Sequence, residues 1–225
     1  MLAMLRALVY GALWLALAGG AQAAVLYNNL AQTPGGQDPV ANDGPQYNSF
    51  STDATGTVDS INLLLSNGGS PNPSGVVEVD LFDSVANAPS TLVRMLGDVS
   101  DTGVSGTPSI IAFDSLGLNL TPDSRYWISL SDVTDPADGA TSIQWSYAAD
   151  ASGLHVAGEY WGATGFGFWA NSDWPMPYAM CVSTISSGLG SCEDPPSPVP
   201  EPATISVLAC ALVGLGLGLR SRRSG

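Results

Sequence analysis

From Val25 to Val182 the apolar positions recur mainly with a period of two. Val25-Leu26-Tyr27 opens the pattern. Val58 to Leu65 alternates through Ile61, Leu63 and Leu65, and Val77, Val79 and Leu81 alternate with Glu78 and Asp80. Ile110 to Phe113 is a short apolar run. Tyr126, Ile128 and Leu130, then Ile143, Trp145 and Tyr147, then Tyr178, Met180 and Val182 repeat the alternation. A period of two places one face of each segment inward and the other in water, as in a half-buried strand. Between these runs stand Asn67-Gly68-Gly69, Asn87-Ala88-Pro89, Thr121-Pro122-Asp123 and Asp138-Gly139, which carry turn chemistry. No helical period longer than two turns occurs in 24–190. The pattern predicts an all-β domain over 24–190, an antiparallel β-sandwich or jelly roll.

Both ends depart from this pattern. Arg6, the apolar run Ala7–Ala18 and the small-x-small triplet Ala21-Gln22-Ala23 have the form of a secretory signal peptide over 1–23, cut after Ala23. Signal peptidase is the processing enzyme this implies. At the other end, Ala203–Leu219 holds 17 residues and no charge. As a single hydrophobic helix it spans roughly 25 Å, close to the hydrocarbon thickness of a bilayer. Arg220, Arg222 and Arg223 follow at once, and this basic stop stays cytoplasmic under the positive-inside rule. The preceding domain then lies outside. Between domain and tail, residues 193–202 carry five prolines in ten positions. That is a stiff, extended spacer, so 191–198 reads as a Pro-rich linker and 199–225 as the sorting and anchor segment.

Pro200-Glu201-Pro202, the Gly/Ala/Leu-rich apolar run and the terminal Arg cluster follow in that order. Together with the N-terminal leader, this triple resembles the PEP-CTERM sorting signal of exported proteins in Gram-negative bacteria. The resemblance covers about the last 27 residues. It implies recognition by an exosortase, a membrane-embedded cysteine transpeptidase-like enzyme acting at or near Pro200-Glu201-Pro202 and removing the tail. It also implies a setting of exopolysaccharide and biofilm production. The residues suit that handling: two prolines flanking Glu201 hold the segment extended at the membrane face. Leu120–Leu130 in addition looks like a stretch common in bacterial surface β-sandwiches that carry variable anchors. The expected itinerary is a membrane-held intermediate, then the cell surface or extracellular matrix.

Charge changes the picture in one direction only. The chain has no Lys, and residues 24–198 carry 19 acidic residues against Arg94 and Arg125, a formal −17. Such a domain lacks the basic footprint that nucleic-acid binding needs. Self-repulsion that favours solubility explains the acids most simply. Calcium is the one cofactor the composition suggests, because loop carboxylates are hard oxygen ligands. Asp132, Asp135 and Asp138, spaced every third residue, are the candidate ligands, although the spacing matches no EF-hand. Cys181 and Cys192 stand ten residues apart in a chain predicted to be exported. A disulfide is expected there, with free thiols or metal ligands as the alternatives.

Catalytic chemistry is thinly represented. His155 is the only histidine and no G-x-S-x-G elbow accompanies it. Glu159 beside Tyr160 and Trp161 is the one carboxylate placed like a sugar-site acid, but a glycosidase needs a pair. Aromatics are concentrated instead: nine of the 18 lie in 145–178. Trp145, Tyr147 and Tyr178 fit strands and the core. Tyr160, Trp161, Phe168, Trp169 and Trp174 fall in a Gly/Asn/Asp/Pro-rich stretch that reads as loop. Flat rings in loops suit sugar stacking, and Tyr160, Trp161, Trp169 and Trp174 are the candidate contacts. Packing of the same rings as a satellite hydrophobic cluster is the plainer alternative. The expectation is a non-enzymatic surface or matrix protein touching exopolysaccharide. A secreted glycan-acting hydrolase with Glu159 as acid is the rival.

Overall fold

The computed structural model describes residues 25–170, 172–184 and Cys192. The expected signal peptide with Ala21 and Ala23, the 193–198 part of the linker, Pro200-Glu201-Pro202, the apolar tail and Arg220, Arg222 and Arg223 lie outside them. Among the described residues no helix is long and apolar enough to cross a membrane.

The described chain is an antiparallel β-sandwich. Its strands are β1 (Val25–Asn28), β2 (Pro34–Pro39), β3 (Gln46–Ser51), β4 (Thr57–Ser66), β5 (Val76–Val85), β6 (Ala88–Ser100), β7 (Ser109–Asn119), β8 (Arg125–Asp132), β9 (Gln144–Ala148), β10 (Tyr160–Ala163), β11 (Gly167–Ala170) and β12 (Met180–Ser183). One helical turn, α1 (Val40–Asp43), follows β2. In the first sheet β7 pairs with one side of β4. The other side of β4 is shared: Ser60–Leu63 pairs with β12, and Leu65 and Ser66 pair with β9. β1 extends the sheet beyond β12, and β2 extends it beyond β9. The second sheet runs β11-β10-β3-β8-β5-β6.

The aliphatic alternation read from the sequence lines the gap between the sheets. Ile61, Leu63 and Leu65 from β4 meet Val77, Val79 and Leu81 from β5 and Ile128 and Leu130 from β8, all fully buried. Completely burying such side chains contributes roughly 1.5–3 kcal/mol each before entropy is counted.

The second sheet is also covered on its outer face. Trp127 is fully buried there although its neighbours Tyr126 and Ile128 point into the core. Phe168 lies 5.2 Å from it and Tyr47 6.5 Å, ring centre to ring centre, and Phe82 packs on Tyr47 at 6.0 Å. The indole N–H donates to Ser84 Oγ at 3.0 Å. Edge strand β6 exposes Leu92, Val93 and Met95. Pro89, Arg94 and several register shifts against β5 interrupt it, which are the devices that blunt a sheet edge.

Cys181 and Cys192 form a disulfide. It ties the segment after β12 back to the first sheet, and Cys192 O accepts from Asn28 Nδ2 at 3.0 Å. Such a bond belongs to an oxidising, extracytoplasmic compartment.

Candidate functional site

The free edges of the two sheets at β2–β9 and β10–β11 leave a cleft of about 360 Å³ between them. Aromatic rings line it: Tyr147 from β9, Trp161 from β10, Trp169 from β11, Phe166 from the β10–β11 turn, and Trp174 and Tyr178 from the segment before β12. Asp38, Ala163 and Met176 complete the wall. Trp174 and Phe166 are about half and two-thirds exposed at the mouth, 48% and 63% respectively.

Each ring is fixed by its surroundings. Tyr178 stacks on buried Trp145 at 4.6 Å with planes 14° apart, and Trp161 meets Tyr178 edge-on at 5.5 Å. The Trp145 indole donates to Ala179 O at 3.1 Å, and the Trp161 indole to Trp174 O at 2.8 Å. The second bond carries the 171–177 segment to the cleft mouth. Tyr178 Oη donates to Asp38 Oδ2 at 3.1 Å. Asn29, buried, accepts from Met180 N at 2.8 Å and donates to Tyr178 O at 3.0 Å, so the floor is pinned to β1. Tyr147 lies across the Gly35-Gly36 backbone of β2. A Cβ at Gly36 would stand 2.3 Å from its hydroxyl oxygen, so the glycines make room for this ring.

The sequence-predicted sugar contacts divide. Trp161, Trp169 and Trp174 come together in the cleft. Tyr160 does not. Neighbours in a strand point to opposite faces, and Tyr160 stands on the outer face with Arg125 Cζ 4.6 Å from its ring centre. The 160–170 stretch is a hairpin rather than a loop: Trp161 pairs with Trp169 and Gly162 with Phe168. Tyr147, Tyr178 and Asp38 belong to the cleft and escaped the sequence reading, the first two because they were assigned to the core.

Glu159, the acid of the hydrolase alternative, lies on the outer side with Tyr160 and is 4% exposed. Its carboxylate accepts from Ser51 Oγ, Ser49 Oγ and Arg125 Nε, the last at 3.0 Å. The group is committed to holding β3, β8 and the start of β10 together. His155 is exposed on a turn at φ 56°.

No protein-family model matches the chain, and no curated protein sequence matches it.

The calcium candidates are spent locally. Asp132 accepts from Thr134 N at 2.9 Å and Thr141 N at 3.2 Å, and Asp135 caps a short 3-10 turn through Ala137 N at 2.9 Å. The Asp138 carbonyl accepts from Asn72 Nδ2 at 3.1 Å. Among the described residues, no group of three or more His, Cys, Asp or Glu side chains gathers as a metal site. The every-third spacing shapes a loop by backbone capping, and does not turn the three carboxylates to one point.

A separate acidic group lies on the outer face of the second sheet. Glu78 stands opposite Asp98, and Asp80 opposite Ser129. Burial, then the charge and hydrogen bond of Glu78, then the charge of Asp98 push the Asp80 carboxyl up to about 6 from its ordinary 3.8. The folded form therefore holds a proton that the unfolded chain releases. The contribution of Asp80 to stability is full below about pH 4 and is lost as the pH rises through about 6. Asp80→Asn removes this dependence. Its advantage over the parent is expected to grow from pH 4 to pH 8, reaching on the order of 2 kcal/mol. Urea midpoints at several pH values measure it, and parallel curves for parent and variant would refute it.

Proposed function

We propose that this chain is an exported, non-enzymatic protein of a Gram-negative cell surface or extracellular matrix, and that its aromatic cleft contacts exopolysaccharide. The observation that carries the binding role is the convergence of Trp161, Trp169 and Trp174 with Tyr147 and Tyr178 on one partly open cavity. Sugar rings present flat C–H faces, and exposed aromatic rings offer matching surface at little conformational cost. The volume falls in the usual range for small-molecule sites, about 300–1,000 Å³.

Export draws on the signal-peptide pattern of 1–23, and the Cys181–Cys192 disulfide supports it. Sorting draws on Pro200-Glu201-Pro202, the apolar run and Arg220, Arg222 and Arg223, through the PEP-CTERM resemblance. In this reading an exosortase-type enzyme removes the membrane tail.

Two measurements test the two halves. Intact-mass spectrometry of the protein from its native host should find a species starting at Ala24 and ending near Pro200-Glu201-Pro202. A membrane species still ending at Gly225 would defeat the sorting half. For the cleft, host polysaccharide should change the intrinsic tryptophan fluorescence. Trp174→Ala should lower the affinity about tenfold or more, since one lost stacking contact of about 1.4 kcal/mol is a factor of ten. The substitution keeps the backbone carbonyl that holds Trp161, so the fold should be preserved. An unchanged titration in the variant would defeat the binding half.

A further inference from the structure

We propose that the cleft takes its glycan as a cation: an amino sugar with a free, protonated amine, its ring face on the indoles and its ammonium toward Asp38. The proposal rests on the glycan reading of the cleft and adds the sign of the ligand's charge.

Asp38 is the only acidic or basic side chain among the described residues lining the cleft. It is held in place twice. β2 sets its backbone opposite Trp145, and its carboxyl accepts from Tyr178 Oη. Tyr178 in turn is stacked on Trp145 and braced edge-on by Trp161. The acid therefore stands at a fixed point beside aromatic faces.

Those faces favour the same charge. An aromatic ring is negative over its face, and an ammonium group within about 6 Å of the ring centre is attracted to it. Several rings converging on one cavity, with an acid in the wall, form an environment that rewards a cation. A bare alkylammonium ion would use only part of a cavity of about 360 Å³. A pyranose carrying the amine uses the flat indoles as well.

No positive group competes. The only basic residues between 24 and 198 are Arg94 and Arg125. Arg94 donates to Leu116 O, and Arg125 is bound to Glu159, Asn87 and Gly158. The 19 acids of the same stretch add a negative field that steers cations inward. A uronic-acid polymer meets that field with the wrong sign and finds no basic partner in the wall. A neutral glycan gains stacking alone.

The test uses purified full-length chain at about 0.15 M salt, where long-range attraction between exposed charges is screened. Three probes are titrated by tryptophan fluorescence and calorimetry: the trimers of glucosamine, N-acetylglucosamine and glucuronic acid. Trilysine serves as a charge-only control. The glucosamine trimer is expected to bind at least about tenfold more tightly than its acetylated counterpart, a difference of about 1.4 kcal/mol. Trilysine and the glucuronic trimer should bind more weakly still. Asp38→Asn, whose amide oxygen still accepts from Tyr178, should bring the glucosamine trimer down to the acetylated level and leave the latter unchanged. Trp174→Ala should weaken both. Equal or tighter binding of the acetylated or the uronic trimer overturns the cationic assignment while the glycan reading stands. Trilysine binding as tightly as the glucosamine trimer, or indifference to Trp174→Ala, means the acidic surface is responsible and overturns it too. Binding of no trimer removes the assignment. If host polysaccharide is silent as well, the glycan reading falls with it.

Discussion

Replacing Arg125 by methionine should lower the unfolding free energy by about 3–5 kcal/mol, because it strands a buried carboxylate without its counter-charge. Glu159 is 4% exposed. Arg125 Nε lies 3.0 Å from its Oε2, and the Ser49 and Ser51 hydroxyls fill out its acceptor sites. The same guanidinium donates to Asn87 Oδ1 and Gly158 O and lies against the Tyr160 ring. Methionine keeps much of the stem's packing but supplies none of these donors. The serine hydroxyls remain, yet neutral donors do not offset a buried charge. The double variant Arg125→Met, Glu159→Gln should cost less than Arg125→Met alone, since the stranded charge is gone. Urea unfolding of the three proteins measures this. A loss below about 1 kcal/mol for Arg125→Met would place the pair among ordinary surface ion pairs and defeat the prediction. The same series bears on the hydrolase alternative. A glycan-cleaving activity lost in Glu159→Gln with stability unchanged would revive it.

Much of the sandwich is legible in the sequence, for a physical reason. β1, β4, β5, β8, β9 and β12 carry aliphatic or aromatic side chains on the inner face and small or polar ones between them, so burial leaves a period of two. β3 hides that period. Its inner face is Gln46, Asn48 and Phe50, and Asn48 is kept inside by accepting from Tyr178 N and donating to Ser49 O. β2, Pro34-Gly35-Gly36-Gln37-Asp38-Pro39, looks like a turn by composition. It is a strand because β9 pairs along it and Tyr147 covers its glycines. Edge strand β6 exposes Leu92 to Met95 on both faces, so no periodic burial marks it.

The site was half legible for the same kind of reason. Trp161, Trp169 and Trp174 lie close in sequence, so their clustering was visible. Tyr147, Tyr178 and Asp38 are brought to them only by strand pairing across the first sheet, which local pattern does not encode. Tyr160 was grouped with Trp161 because the stretch was taken as loop. Once the stretch is a strand, the pleat puts these neighbours on opposite faces. The glycines that made 160–170 resemble a loop are what permits the hairpin.

That dependence yields the second large effect. Gly162→Ala should cost about 2–4 kcal/mol and abolish the cleft's fluorescence response to ligand, although no ring of the cleft is altered. Gly162 pairs with Phe168 across β10–β11. A Cβ added there would lie 2.1 Å from Gly167 O and 3.0 Å from Phe168 Cα. Both obstacles are backbone of the paired strand, so no side-chain rotation relieves them. The residue also sits at φ +158°, a conformation L side chains rarely adopt. Overpacking of this kind costs about 1–3 kcal/mol, and a strained backbone residue about 1–3 kcal/mol. Part of the strain is released if the strands separate. Separation moves β11, and β11 carries two rings with opposite duties. Phe168 covers Trp127 and Tyr47 on the outer face, and Trp169 stands 5.6 Å from Trp161 in the cleft. One added methyl therefore uncovers the outer layer and opens the binding wall together. Gly165→Ala in the same hairpin is the control: nothing lies within 4 Å of its added Cβ, so stability and binding should match the parent. Thermal unfolding and ligand titration of the two variants side by side decide the matter. A Gly162→Ala protein as stable and as responsive as Gly165→Ala would mean the cleft does not depend on this hairpin.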